Sequence, residues 1–243
     1  MSQGVSKEVV AQLAPTGVLR AAINMGNFLL VTGKTASGDP QGVAPDMAAE
    51  IAKRLGVGVS YVKYERPSQL ADAGGTGVWD IGLIGAEPQR AEKITFTPAY
   101  CEIEATYLVP PGSPISSIAD VDKPGIRIAS RRGAAYGLWL ERNIKQAQLI
   151  LSESAEGPLN QFIAEKLEAY GALRPQLLKE TNKLPGSRIL PGNFMTVQQA
   201  IGTAKPHAAG AAFLVDFVAG AKKSGLVASL IEKHHVAGLS VAP

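Results

Sequence analysis

The chain has 243 residues, with 24 basic and 21 acidic side chains and a net charge of +3. So mild a balance gives no electrostatic case for nucleic acid or an anionic membrane, and 46% hydrophobic with 19% charged residues excludes a disordered or collagen-like chain. A single cysteine, Cys101, excludes an internal disulfide and a cysteine zinc cluster, and no run of 18 apolar residues is present.

Strand and helix patterns alternate along the chain. Leu19 to Asn24 is a short apolar run after Thr16-Gly17 and predicts a buried first strand. Gly42-Val43-Ala44-Pro45-Asp46 predicts a helix start: Pro45 suits the first turn and Asp46 complements its positive end. Met47, Ile51 and Leu55 then share one face, and Gly56 closes the helix. Val57–Val62 resumes as a strand, which makes a β-α-β unit with a right-handed crossover. A short helix at Ser68–Gly74 and strands at Asp80–Gly85 and Ile103–Val109 follow, the last stopped by Pro110-Pro111-Gly112.

A second block continues the alternation. It has strands at Gly125–Ala129, Leu149–Leu151, Glu168–Gly171 and Arg188–Leu190, and helices at Gly133–Gln146, Pro158–Leu167 and Pro175–Asn182. After Pro191-Gly192 the chain reads as helical from His207 to about His235, broken at Ser224-Gly225, with no strands of its own. The Pro/Gly joints near 110 and 191 predict two α/β lobes, with the helical tail packing back on the first. Residues 111–190 carry 11 basic and 8 acidic side chains, so the whole charge surplus lies in the middle block.

The sequence offers little catalytic machinery. It has no Gly-x-Ser-x-Gly elbow, no P-loop and no Gly-x-Gly-x-x-Gly after a strand, so no cofactor is expected. The three histidines, His207, His234 and His235, lack metal-ligand spacing, and Cys101 reads as a structural thiol. One segment does carry a pattern. The strand Asp80-Ile81-Gly82-Leu83-Ile84 leads into a tight turn at Gly85-Ala86, Arg90 follows, and Phe96-Thr97-Pro98-Ala99-Tyr100 comes next. An arginine just past the carboxyl end of a parallel strand sits where α/β proteins bind ligands, and its planar fork suits a carboxylate.

This segment resembles the cleft signature of the family 3 extracellular solute-binding proteins, the type II periplasmic-binding fold of amino-acid ABC importers. The likeness also takes in Gly17-Val18-Leu19-Arg20-Ala21-Ala22-Ile23, the Gly42–Asp46 helix start, Gly125-Ile126-Arg127-Ile128-Ala129 and Lys222-Lys223-Ser224-Gly225-Leu226. The resemblance implies a two-lobed α/β fold, each lobe a mostly parallel sheet flanked by helices, joined by a two-strand hinge. Lobe 1 would be residues 1–109 plus 192–243 and lobe 2 residues 110–191. It further implies a monomeric, non-catalytic receptor that closes on a small carboxylate-bearing ligand and delivers it to an ABC permease. Arg90, with Gly85 and Ala86, would hold the carboxylate. The amides of the helix start at Arg132-Gly133-Ala134-Ala135-Tyr136 would meet it from lobe 2, and Asn24, Asn27 and Phe28 would line lobe 1. The location implied is periplasmic. Met1–Thr16 does not read as a signal peptide, so a cytoplasmic chain or a removed leader is the alternative.

Three departures from the family pattern bear on the ligand. No Ser or Thr precedes Arg90, and the proline of Phe96–Tyr100 comes one place early. In lobe 2, where amino-acid binders place an acid for the ammonium, the stretch Glu168-Ala169-Tyr170-Gly171-Ala172-Leu173 ends in Arg174. Unless Glu87 or Glu102 compensates, Arg174 would repel an ammonium, so an organic anion or an atypically held amino acid is expected. Two rivals share the fold: a cyclohexadienyl-dehydratase-like lyase using Glu87, Glu102 or Glu168, and an effector-sensing module, for which no helix-turn-helix is present.

Overall fold

A computed structural model describes residues 5–243, so residues 1–4 of the Met1–Thr16 stretch lie outside it. In chain order, helix α1 (Lys7–Leu13) precedes β1 (Val18–Asn24), a small hairpin of β2 (Gly33–Lys34) and β3 (Pro40–Gln41), α2 (Val43–Leu55), β4 (Gly58–Tyr64), α3 (Pro67–Asp72), β5 (Ile81–Gly85) and β6 (Ile94–Phe96). Next come β7 (Cys101–Val109), β8 (Arg127–Arg131), α4 (Ala135–Asn143), β9 (Gln148–Ser152), α5 (Gly157–Ala164), β10 (Ala169–Leu173), α6 (Arg174–Glu180) and β11 (Arg188–Ile189). The chain ends with β12 (Met195–Ala204), α7 (Ala208–Lys223), α8 (Leu226–Lys233) and β13 (Ser240–Val241). Two units result: Met1–Glu102 with Gln198–Pro243, and Ile103–Val197. The chain passes between them inside β7 and inside β12, and the Pro/Gly joints at 110 and 191 both fall within the second unit.

Unit 1 holds the sheet order β4-β1-β5-β12, its first three strands parallel and β12 antiparallel to β5. Helix α2 forms as its sequence dictates. Met47, Ile51 and Leu55 are buried, and Gly56 takes the left-handed φ of 73° that ends the helix. Leu70, Trp79, Ile84 and Ile94 close over Ala22 to form one core. The helical tail returns to this unit: α7 packs on α1, and α8 is tied to the start of α2 where Lys233 and His234 both reach Asp46 Oδ2 at 2.8 Å.

The expectation of a strandless tail fails, because β12 pairs with both β5 and β6. Two glutamines and Gly202 interrupt its apolar pattern. Gln199 is nonetheless buried, and a Cβ on Gly202 would sit 2.3 Å from Ile94 Cγ2. Strand β6 and helix α1 were likewise not expected. Helix α1 is announced only by Ser6, whose hydroxyl accepts the Val9 amide at 3.3 Å.

Unit 2 is a sheet of order β7-β10-β8-β9, with β10, β8 and β9 parallel and β7 antiparallel to β10. Tyr107, Val109, Ile128, Leu140 and Leu190 form its core, and Phe194 stacks between Tyr107 (4.6 Å) and Trp139 (5.2 Å).

Each unit also ties its leading inner strand to the start of a parallel neighbour. Asp80 accepts from Arg20 N at 2.8 Å, Nε at 3.0 Å and Nη2 at 2.6 Å. Glu168 accepts from Arg127 N at 2.8 Å, Nε at 2.9 Å and Nη2 at 2.8 Å.

Candidate functional site

In unit 1 the candidate residues gather at the carboxyl ends of β1 and β5, which are parallel neighbours with Ala21 opposite Ile81 and Ile23 opposite Leu83. Strand β5 is buried throughout and ends at Gly85, and Ala86 N donates to the Gln198 carbonyl at 2.8 Å. The turn then brings Arg90 back, so that its Nη1 donates to the Gly85 carbonyl at 2.6 Å. Gly85, Ala86 and Arg90 are therefore brought together as expected from their spacing.

Arg90 is only 5% exposed, and burial lowers its pKa to about 10 against the opposing field of Glu87 and Asp72. It still carries its charge at neutral pH. Asn24 and Asn27 spend their side-chain oxygens locally, on the amides of Gly26 and Leu29, both at 3.2 Å. They shape the loop in which Phe28 sits half-buried.

In unit 2 the remaining candidates lie at the carboxyl ends of β8 and β10, again parallel neighbours. Arg132 to Ala134 form the turn into α4, and Gly133 has φ 70°. The first-turn amides of α4 have no partner within the helix, which favours an anion there. Arg132 is more than half exposed and pairs with Glu153 at 3.5 Å. Ala134, Ala135 and Tyr136 are buried. Tyr136 packs into the unit, where burial pushes its pKa up to about 12.

Arg174 also differs from expectation. Its Nε meets Glu104 Oε2 at 2.6 Å and its Nη2 donates to the Gly192 carbonyl. The acid that pairs with Arg174 is thus Glu104, which the sequence pattern does not single out. Glu87 is buried near Arg90, and Glu102 accepts from Gln198 Nε2 at 3.0 Å. Glu104 was missed because its link to Arg174 appears only once β7 is paired with β10. Leu173 faces Ala105 in that register, and Glu104 is next in line.

Two groups of unit 2 predict its response to acid. Bonds from Arg127 hold the Glu168 carboxyl below its ordinary range. Burial pushes Glu180 up, despite bonds from Gln176 and Tyr170. A depressed carboxyl stabilises above its unfolded pKa of about 4.3 and loses that contribution as pH falls through its folded value; a raised one acts in the opposite sense. Thermal melts are therefore expected to gain stability as pH falls from neutrality through the raised value of Glu180, and to lose it again as pH falls through the depressed value of Glu168. The gain should be absent in Glu180→Gln, and a gain that persists there contradicts the assignment.

The family model for bacterial extracellular solute-binding proteins, family 3, matches residues 26–237. Among solved structures, the chain is similar to an amino acid ABC transporter substrate-binding protein from Streptococcus pneumoniae bound to L-arginine, with TM-score 0.73 and 21% identity over 98% of this chain and 100% of that one. It is similar to a binding component of an ABC transporter from Wolinella succinogenes complexed with lysine, with TM-score 0.74 and 20% identity over 90% and 95%. It also resembles an ancestral amino acid-binding protein described as a precursor of cyclohexadienyl dehydratase, with TM-score 0.72 and 21% identity over 92% and 98%. No curated protein matches the sequence.

These structures share a two-lobed α/β fold of the type II periplasmic-binding class, and this chain has that fold. The chain belongs to the bacterial extracellular solute-binding proteins, family 3. Among the described residues no helix is long and apolar enough to cross a membrane, and no group of side chains is arranged to hold a metal ion.

Proposed function

We propose that the protein is a receptor for a small carboxylate-bearing solute, which it releases unchanged to an ABC permease outside the cytoplasm. Each unit contributes ligand contacts in this reading, and it acts as a monomer that closes on its ligand. The observation that carries it is Arg90, a permanent cation buried to 5% exposure at the carboxyl end of a parallel strand and oriented by the Gly85 carbonyl. Its planar fork suits a carboxylate, and the carboxyl end of a parallel strand is where α/β proteins bind ligands. The first turn of α4 supplies a second anion-favouring element on unit 2. Of the acids a lyase would need, Glu168 is engaged by Arg127 and Glu102 by Gln198, which supports binding without chemistry.

A thermal-shift screen of amino acids, organic acids and small osmolytes tests this reading. A ligand at about 100 times its Kd adds about 2.7 kcal/mol of stability. With the solute that shifts most, Arg90→Ala is expected to weaken binding by about 1.5–3 kcal/mol, the range of a hydrogen bond to a charged group. Wild-type affinity in a folded Arg90→Ala variant, read by calorimetry, refutes the role. Turnover of prephenate or arogenate refutes the non-enzymatic part.

A further inference from the structure

A pocket of about 190 Å³ opens on unit 2 among Pro110, Phe162, Ile163, Lys166, Leu167 and Leu184. Leu167 precedes β10, and Pro110 follows β7, which runs antiparallel to β10, so the pocket lies at the amino end of β10. Arg174 and the start of α4 lie at the other end of the sheet, a five-residue strand or roughly 16 Å away. The pocket is therefore separate from the residues assigned above to the solute.

The way α5 ends builds it. The Leu167 amide donates to the Phe162 carbonyl at 3.0 Å and the Lys166 amide to the Ile163 carbonyl at 3.3 Å, the paired bonds that lead a chain out of a helix. Phe162 and Leu167 are both buried, and the Phe162 ring lies 6.0 Å from that of Tyr170. Arg127 Nη2 holds the turn by donating to the Lys166 carbonyl at 2.8 Å. The residue at the centre of such a turn takes a left-handed φ, and Gly56 fills that place after α2. After α5 the place is held by Lys166, with φ 51°, at a conformational cost that glycine avoids.

All the lining residues but Lys166 are apolar, and Ile163 stays 43% exposed. An apolar cavity of about 150 Å³ is enough to hold benzene, so this space suits one ring or a branched alkyl group. Lys166 supplies the charge, and among the described residues its ammonium has no ion-pair or hydrogen-bond partner. The adjacent acid, Glu165, is exposed and is not part of the lining.

We propose that this pocket is a second binding site, which takes a small carboxylate with a single ring or branched alkyl body, the apolar part on Phe162 and Leu167 and the charge at Lys166.

Benzoate is the probe, titrated into isotope-labelled protein and followed by amide NMR shifts. Nine heavy atoms support a Kd of roughly 1 mM, so saturation is expected by about 10 mM. The shifts should centre on Ile163, Lys166, Leu167 and Leu184. Benzylamine, with the same ring and the opposite charge, should bind at least about fivefold more weakly. Lys166→Gly relieves the turn and should raise the melting temperature, yet weaken benzoate about two- to fivefold, the range of one exposed ion pair. A purely structural lysine predicts the same rise with benzoate binding unchanged, and that result overturns the proposal. Ile163→Glu, at an exposed position, should weaken benzoate further by placing a like charge on the lining, and gives a second reading if Lys166→Gly does not fold. Benzylamine binding as tightly as benzoate, no saturable shift at the four amides, or shifts confined to the surroundings of Arg90 also overturn it; the last of these leaves the solute-receptor reading standing.

Discussion

Asp80→Ala is expected to lower stability by about 3–5 kcal/mol, the cost of stripping one partner from a buried ion pair. Asp80 is 2% exposed and accepts three hydrogen bonds from Arg20, one of them from the main chain of β1. The same residue stitches β5 to its neighbours through the backbone: its amide donates to the Arg20 carbonyl at 2.9 Å, and its carbonyl accepts from Thr203 Oγ1 at 2.9 Å. Removing the carboxylate leaves the Arg20 amide without its acceptor and its guanidinium beside the Gly77 carbonyl only.

The matching pair of unit 2 provides the control. Arg127 and Glu168 have the same connectivity but side-chain exposures of 36% and 32%, so Glu168→Ala should cost only about 1 kcal/mol after solvent screening. Urea denaturation measures both. Equal midpoints for the two variants would show that burial does not set the difference.

Gly137→Ala is expected to destabilise unit 2 by about 1–3 kcal/mol, although alanine is the better helix former by about 1 kcal/mol. A Cβ at this position would lie 2.1 Å from the Arg131 carbonyl oxygen, an atom of the main chain that cannot swing aside. The helix must instead move away from the end of β8. Its first turn carries the amides assigned to the ligand, so ligand affinity should fall together with stability. Gly220 in α7 is the counterpart with open space around its missing Cβ. Gly220→Ala should raise stability by up to about 1 kcal/mol. Melting temperatures that move in the same direction for both variants would discount the close approach.

What the sequence makes legible follows from how local the determinants are. Helix α2 is set by Pro45, a one-faced apolar stripe and Gly56, all within one stretch of chain, and its ends fall where these residues place them. The Gly85–Arg90 turn is equally local, and the arginine folds back onto the strand from which it came. Strand β12 was hidden because it is held by partners far away in sequence, which accept Gln199 and Gly202 where an isolated pattern forbids them. The same distance hid Asp80 from Arg20 and Glu104 from Arg174. Asn24 and Asn27 were recognisable as residues at and just past the end of the first strand, but sequence does not reveal that their oxygens serve the amides two residues on. The comparisons carry the family and fold, and the charge logic at Arg174 comes from the pairing of β7 with β10.

The interruption of unit 1 by unit 2 has a consequence for how the chain leaves the ribosome. Unit 2 is a single unbroken stretch, Ile103–Val197, and can begin to fold once it has emerged. Unit 1 cannot finish, because β5 pairs with β12, which begins only where that stretch ends. At about 5–20 residues per second, the wait for β12 lasts roughly 5–20 s. During that time β5 presents an apolar, unpaired edge of the kind that recruits other strands. Until β12 is made, β5 has β1 alone of its two sheet neighbours to pair with.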